Sequence, residues 1–316
     1  MRLLLFKTGL LAILLTLHAS AQQSFLQRDL DGNGRLTPTE AGLSNEEFSR
    51  LDESQNGELS LGEFEDYWNR VTAEPDLKDA PYGNQSSRQV LDLYLPANPK
   101  GKVPLLLWIH GGSWKEGDKE ACPFQTLTQH GVAVASLHYR FTDEALFPGQ
   151  LTDCEAAIRF LFQEAENRGL QFGPVTACGL SAGGHLSLML AGTGSVDTAI
   201  AFGAPMDLTP EEAREGYRET LERFVGAPLD LEKLKAASPL HNLGRRGTRY
   251  LLVHGTEDRT VPYQQALQMA GALAKSQVDV ELFLIPQGSH TVVGGPVLWN
   301  RIVALLSTRA CGHSAF

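Results

Sequence analysis

The sequence predicts an α/β fold, a mostly parallel central sheet flanked by helices, with a small all-α module ahead of it. Three observations carry that expectation. Six short apolar runs follow one another between residues 103 and 286: VPLLLWIH, VAVASLHY, PVTACGL, AIAFGAP, RYLLVHG and VELFLIP. Amphipathic stretches such as TDCEAAIRFLFQEAENRG and PYQQALQMAGALAKSQ separate several of them. Strands buried on both faces read as continuous apolar runs, and their alternation with helices is the pattern of a parallel sheet. Finally, two acidic twelve-residue loops occupy residues 29–63, ahead of the first apolar run.

The chain has 316 residues, enough for one large domain and one small one. Its net charge of −10 argues against a nucleic-acid partner, which calls for a basic face. At the start, Arg2 and Lys7 precede an apolar run from Leu10 to Leu17, and Ala19-Ser20-Ala21 follows as a small-x-small cleavage site. That run is short for a membrane span of ~20 residues. Residues 1–21 are therefore expected to be a signal peptide. The mature protein is expected to be secreted or periplasmic, with no stable membrane span. Residues 22–72 form the small module. Residues 73–86, rich in Pro, Asp, Gly, Asn and Ser, read as a linker, and 87–316 form the α/β domain.

Cys122, Cys154, Cys178 and Cys311 admit three full disulfide pairings, between which the sequence does not choose. Cys178 lies in an apolar run and reads as a buried thiol. No CxxC spacing supports a zinc site.

The loop DLDGNGRLTPTE offers oxygen ligands at alternate positions: Asp29, Asp31, Asn33, the Arg35 backbone carbonyl, Thr37 and Glu40. Gly34 stands at the sharp turn. A second loop, DESQNGELSLGE, repeats the pattern with Asp52, Ser54, Asn56, the Glu58 carbonyl, Ser60 and Glu63, and has Gly57 at the turn. Calcium takes six to eight oxygens in this arrangement, so the expected ion is Ca2+, in a structural role. Leu36 and Leu59 occupy the position where paired loops form a short β-bridge. The region resembles an EF-hand pair. Two departures are a short leading helix and Ser54 where a carboxylate is common.

In the α/β domain, Gly179-Leu180-Ser181-Ala182-Gly183 joins an apolar run to a helical pattern. A G-x-S-x-G turn between strand and helix exposes a nucleophilic serine at a helix N-terminus, where the dipole favours a developing anion. A serine needs a base and an orienting acid. Asp258 follows the RYLLVHG run and His290 follows VELFLIP; Glu257 is an alternative acid. Two backbone donors must stabilise an oxyanion. Ala182 supplies one, and Gly111 and Gly112, in HGGSW after the first run, supply the other. His110 is expected to fix that loop and His185 to pack on its helix. Arg140 and Asp153 are expected to anchor the loop before the 153–168 helix. Trp114 reads equally as pocket lining or loop packing, and residues 208–238 as a small cap.

Residues ~79 to ~308 resemble the α/β-hydrolase superfamily. Within it they are most similar to the secreted esterase/lipase branch with an HGGGW-type motif, which includes feruloyl and acetylxylan esterases. DLYLP, HGGSW, HYRFTDEALFPGQLTDCEAAIRFL, GLSAGGH, ASPL, HGTEDRTVP and GSH carry the likeness, in the family's order. Ser113 replaces a third glycine and Leu180 a common histidine, which leaves acyl and alcohol preference open. The resemblance implies a Ser181–His290–Asp258 triad cleaving carboxylic esters, short-acyl or carbohydrate-linked, through an acyl-enzyme without a catalytic cofactor. Two other readings stand beside it. One is an amide hydrolase, formamidase or peptidase, on the same fold. The other is a calcium-dependent binding module with an inactive hydrolase domain.

Overall fold

The computed structural model describes residues 25–26, 28–29, 32–43, 48–49, 51–64, 74–244, 246–291 and 296–307. The expected signal peptide, Asp31 and Cys311 lie outside the described residues. The chain divides into two compact units, residues 1–73 with 293–302 and residues 74–292 with 303–316.

In the first unit, the two acidic loops are tied by a single antiparallel bridge. The Leu36 N–H donates to the Leu59 carbonyl at 2.8 Å, and Leu59 returns the bond to Leu36 at 2.7 Å. Both leucines are fully buried, with Phe25, Ala41, Phe48, Leu51 and Phe64 around them. A one-turn helix, α1 (Pro38–Ala41), leaves the first loop through a reciprocal cap between Thr37 and Glu40, with Pro38 at its first position.

The second unit is built on eight strands: β1 (Leu77–Pro81), β2 (Val90–Tyr94), β3 (Lys102–Ile109), β4 (Ala133–Leu137), β5 (Gln171–Leu180), β6 (Thr198–Phe202), β7 (Arg249–Gly255) and β8 (Asp279–Ile285). They lie in the order β1-β2-β4-β3-β5-β6-β7-β8. β1 and β2 run antiparallel to their neighbours, and the rest of the sheet is parallel. The six apolar runs are β3 to β8. β4 and β6 are buried along their whole length, as the runs predict.

Two expectations are corrected. Residues 77–81, inside the stretch read as a linker, form the edge strand β1, held by backbone pairing to β2 and by the Asp79 N–H on the Asp92 carboxylate at 2.8 Å. Its polar, Pro-containing sequence suits a sheet edge and hides its strand character. β8, expected to be buried on both faces, is only half-buried, because it is the opposite edge and pairs with β7 alone.

Helices cover the sheet. They are α2 (Gly149–Asn167), α3 (Ala182–Thr193), the short α4 (Glu211–Gly216), α5 (Arg218–Val225) and α6 (Leu231–Ala236), then α7 (Gln264–Lys275). A last helix, α8 (Pro296–Ser307), follows β8 in the chain. α3 is buried on every side from Ala182 to Ala191 and ends at Gly194 in the left-handed conformation. Arg140 and Asp153 pair as expected, with Nη2 to Oδ1 at 2.7 Å, and Gln89 donates to the same carboxylate. Cys122, Cys154 and Cys178 are buried free thiols. No helix among the described residues is long and apolar enough to cross a membrane.

Candidate active site

Strand order fixes where a site can form. The chain steps from β3 to β4 on one side and to β5 on the other, which opens a crevice at their carboxyl ends. β3 and β5 end level, with Ile109 paired to Gly179. The HGGSW loop and the G-x-S-x-G turn therefore emerge side by side. A Cβ built on Gly111 would lie 2.9 Å from the Leu180 carbonyl oxygen and 3.4 Å from the Ser181 Cβ, so a side chain there would crowd the serine.

Ser181 has φ 53 and ψ −118, a conformation costing about 1–3 kcal/mol outside glycine. Its N–H is held by the Phe202 carbonyl at 2.8 Å, and the first turn of α3 starts at once, with His185 N–H on the Ser181 carbonyl at 2.9 Å. Gly183 permits this: a Cβ there would run into the backbone carbonyl of Ile109. No hydrogen bond among the described residues uses the N–H of Gly111, Gly112 or Ala182, the expected oxyanion donors.

His290, in the loop after β8, and Asp258, in the loop after β7, meet at 2.7 Å between Nδ1 and Oδ2. Glu257, the alternative acid, is exposed. Asp258 is fully held. Oδ1 accepts the N–H groups of Thr260 and Val261, each at 2.8 Å, and Oδ2 also faces His254 Nε2 at 3.1 Å. Burial opposes ionisation of this carboxyl, but the bonds from His254, His290 and Val261 outweigh it and keep it well below the usual carboxylate range. Asp258 is thus an anion that fixes the imidazole with its Nε2 free to act as a base.

Two residues of this site escape sequence reasoning. His254 ends inside β7 with Nε2 also on the Val261 carbonyl at 2.8 Å, bracing the loop that carries Asp258. Its position in the RYLLVHG run was the only signal. Gly203, after β6 at φ 51, lies under the His–Asp pair. A Cβ there would sit 2.9 Å from the His290 carbonyl oxygen, 3.2 Å from Nδ1 and 3.3 Å from Asp258 Oδ2.

A cavity of about 370 Å³ opens beside Ser181, lined among others by Trp114, Asp207, Tyr217, Leu221 and Val261. Trp114 serves both roles left open by the sequence. It lines the cavity and also packs, stacked on Phe224 at 4.0 Å and edge-on to His185 at 5.0 Å. α4 to α6 are the expected cap. The Tyr217 hydroxyl of the cap bonds the Thr260 carbonyl, two residues after Asp258. His185 donates from Nε2 to the Ala237 carbonyl at 2.7 Å, and burial lowers its pKa to about 4, which keeps it neutral.

The fold and this arrangement define the α/β-hydrolase class. Within it, the chain belongs to the BD-FAE family, whose sequence profile matches residues 91–273. It is similar to Esterase LipQ of Mycobacterium tuberculosis, 26% identical over 250 residues, covering 72% of this chain and 59% of that protein. It is also similar to a probable isoprenylcysteine alpha-carbonyl methylesterase of Oryza sativa subsp. japonica, at 25% identity, covering 69% of this chain and 58% of the relative. The chain thus spans somewhat over half the length of these curated relatives. Among solved structures, a truncated carbohydrate esterase from gut microbiota superposes with a TM-score of 0.65 at 20% identity, over 75% of this chain and 96% of that one. Esterase Est2 of Thermogutta terrifontis, butyrate-bound, gives 0.59 at 23%, over 74% and 92%.

Proposed function

We propose that the chain is a secreted serine hydrolase of carboxylic esters. The observation that carries this reading is the serine on a strained strand-to-helix turn, with the His290–Asp258 pair at the ends of neighbouring strands. Ser181 Oγ attacks the ester carbonyl carbon while His290 Nε2 takes the hydroxyl proton. The imidazolium is held by Asp258, and the oxyanion accepts the N–H groups of Gly111, Gly112 and Ala182. Collapse breaks the C–O bond, and His290 returns the proton to the departing alcohol. Water then attacks the acyl-enzyme with His290 again as base, and the carboxylic acid leaves with Ser181 restored. The esterases among the relatives support the reaction type. The mixed cavity, with Trp114 and Leu221 beside Asp207 and Tyr217, favours a short acyl or carbohydrate-linked ester.

A fluorophosphonate probe tests this. It should label the wild type and leave Ser181→Ala unlabelled; equal labelling of both sinks the assignment. A second reading, amide cleavage, draws support from 29% identity over 119 residues to the kynurenine formamidase of Danio rerio, covering 37% of this chain and 39% of that enzyme. Turnover of acetyl and feruloyl esters beside formyl amides separates the two.

The acidic loops fit Ca2+. Asp29 accepts the N–H groups of Asn33 and Gly34, and Asp52 accepts those of Asn56 and Gly57, at the same offsets. Glu40 and Glu63 turn back onto Thr37 and Ser60 in the same way. Among the described residues, which leave out Asp31, no three His, Cys, Asp or Glu side chains cluster as a metal site. Asp29, Asp31, Asn33, Arg35, Thr37 and Glu40 would hold one ion. Asp52, Ser54, Asn56, Glu58, Ser60 and Glu63 would hold the other. Bound calcium would cross-link each loop and supply no step of the reaction. Isothermal titration with Ca2+ should give two sites, and Glu40→Gln with Glu63→Gln should remove them; no heat of binding to the wild type overturns the proposal.

A further inference from the structure

Behind the HGGSW loop lies a second hydrogen-bonded series that the chemistry above does not use. His110, 2% exposed, has Nδ1 on the Gly111 carbonyl at 2.7 Å. Its Nε2 meets His138 Nδ1 at 3.2 Å, and His138 Nε2 faces Asp118 Oδ2 at 3.5 Å. His110 is stacked on Tyr139 at 4.6 Å and cannot swing away. Asp118 closes the far end of the same loop, accepting the Glu120 N–H at 2.8 Å.

The direction of these bonds follows from the chemistry of the atoms. A carbonyl only accepts, so His110 Nδ1 carries a proton and donates to Gly111. His110 is held neutral by burial, which lowers its pKa to about 4, so Nε2 is left as an acceptor. His138 Nδ1 must then donate. The Gly111 carbonyl and the Gly112 N–H belong to one trans peptide and point in opposite directions. Pinning that carbonyl on His110 therefore turns the Gly112 N–H away from His110, to the other side of the loop.

We propose that His138 and Asp118 are positioning residues that, through His110, aim the Gly112 N–H at the reacting oxyanion. The inference rests on the serine esterase reading. His138 thereby links the buried His110 to the Asp118 carboxylate at the far end of the loop, with Nδ1 on His110 Nε2 at 3.2 Å and Nε2 facing Asp118 Oδ2 at 3.5 Å. The groups facing His138 are His110 and Asp118. Lys119 adjoins Asp118 but is committed to Asp92 and Asp79, while Tyr82 reaches only the His138 backbone carbonyl.

Replacement of Asp118 by asparagine provides a sharp test. The amide would keep an oxygen for the Glu120 N–H and an NH2 that can donate to His138 Nε2, so both contacts survive, whereas leucine removes both. The experiment measures kcat and KM for an aryl acetate for the wild type, His138→Leu, His138→Gln, Asp118→Asn and Asp118→Leu, with thermal melts to verify folding. His138→Leu should lower kcat at least about tenfold with KM within about twofold, the pattern of a misaimed oxyanion donor. His138→Gln, whose amide N–H can still reach His110, should return kcat to within about threefold of wild type. Asp118→Asn should retain kcat to within about threefold of wild type, whereas Asp118→Leu should repeat the fall in kcat at a steady KM. If His138→Leu does not fold, the fall in Asp118→Leu and its recovery in Asp118→Asn decide. An unchanged kcat in folded His138→Leu, a loss that glutamine does not restore, or equal kcat in Asp118→Leu and Asp118→Asn overturns the proposal. Failure of the wild type to hydrolyse the ester or take the fluorophosphonate would instead overturn the esterase reading itself.

Discussion

At the scale of single residues, the site depends as much on what is missing as on what is present. Gly203 leaves the space that His290 and Asp258 fill, and its φ of 51 already disfavours a side chain. Gly203→Ala should therefore push the His–Asp pair apart and lower kcat at least about tenfold, since displacement of a base by an ångström has effects of that size or larger. The change in kcat should exceed the change in KM, which steady-state kinetics would reveal; a wild-type kcat would show that the pair tolerates the methyl group. Asp258→Asn has a larger expected effect. The carboxylate accepts the N–H groups of Thr260, Val261 and His290 and faces His254 Nε2, whereas an amide accepts through one oxygen only and its NH2 opposes His254 or His290. The His290 tautomer is then lost, and kcat should fall by about 10³–10⁴.

At the scale of elements, the core strands were legible because burial on both faces writes itself as a continuous apolar run. β3 to β7 follow that rule, and the proposed triad residues Ser181, Asp258 and His290 follow run ends where the turns are. The edges were not legible. β1 is polar enough to pass for a linker, and β8 is apolar enough to pass for a central strand, because an edge strand's burial depends on neighbours that its own sequence does not record. Contacts between distant segments, such as Tyr217 with Thr260 or His138 with Asp118, were hidden for the same reason. The cap illustrates a contact of this kind with a measurable consequence. α5 is amphipathic, and its Phe224 is fully buried, stacked on Trp114 and tilted against Phe147 at 5.3 Å. Phe224→Ala should cost about 3–5 kcal/mol of stability. It should also free Trp114, raising KM more than it lowers kcat. A melt combined with kinetics on a short-chain ester would check both; an unchanged KM would mean that the cavity wall does not depend on α5.

At the scale of the whole molecule, the buried imidazoles make stability depend on pH in a window set by their burial. His110 and His185 lie within the fold, and burial is the largest cause lowering each to about 4, against hydrogen bonds to the Gly111 and Ala237 carbonyls that act the other way. Unfolded, a histidine titrates near 6.5. Above that pH neither state binds the proton, and these groups leave stability unchanged. Between about 6.5 and 4 the unfolded chain takes up protons that the native state refuses, so stability falls as the pH falls, with a slope of about 1.4 kcal/mol per pH unit for each group. Below about 4 both states are protonated and this contribution levels off. The carboxylates held low act in a more acidic window. Burial opposes ionisation of Glu63, but its bonds to Ser60 and Ser54 outweigh that and lower it to about 2, so its contribution is lost between about 4.5 and 2. The two windows can therefore be told apart. His185→Gln retains an N–H for the Ala237 carbonyl but carries no titrating group. Its melting temperature should decline less steeply than that of the wild type between pH 6.5 and 4, and the two curves should run parallel above pH 7. Equal slopes in the acid window would mean that His185 is protonated in the native state, and with it that the aromatic packing of Trp114, Phe147 and Phe224 admits a charge.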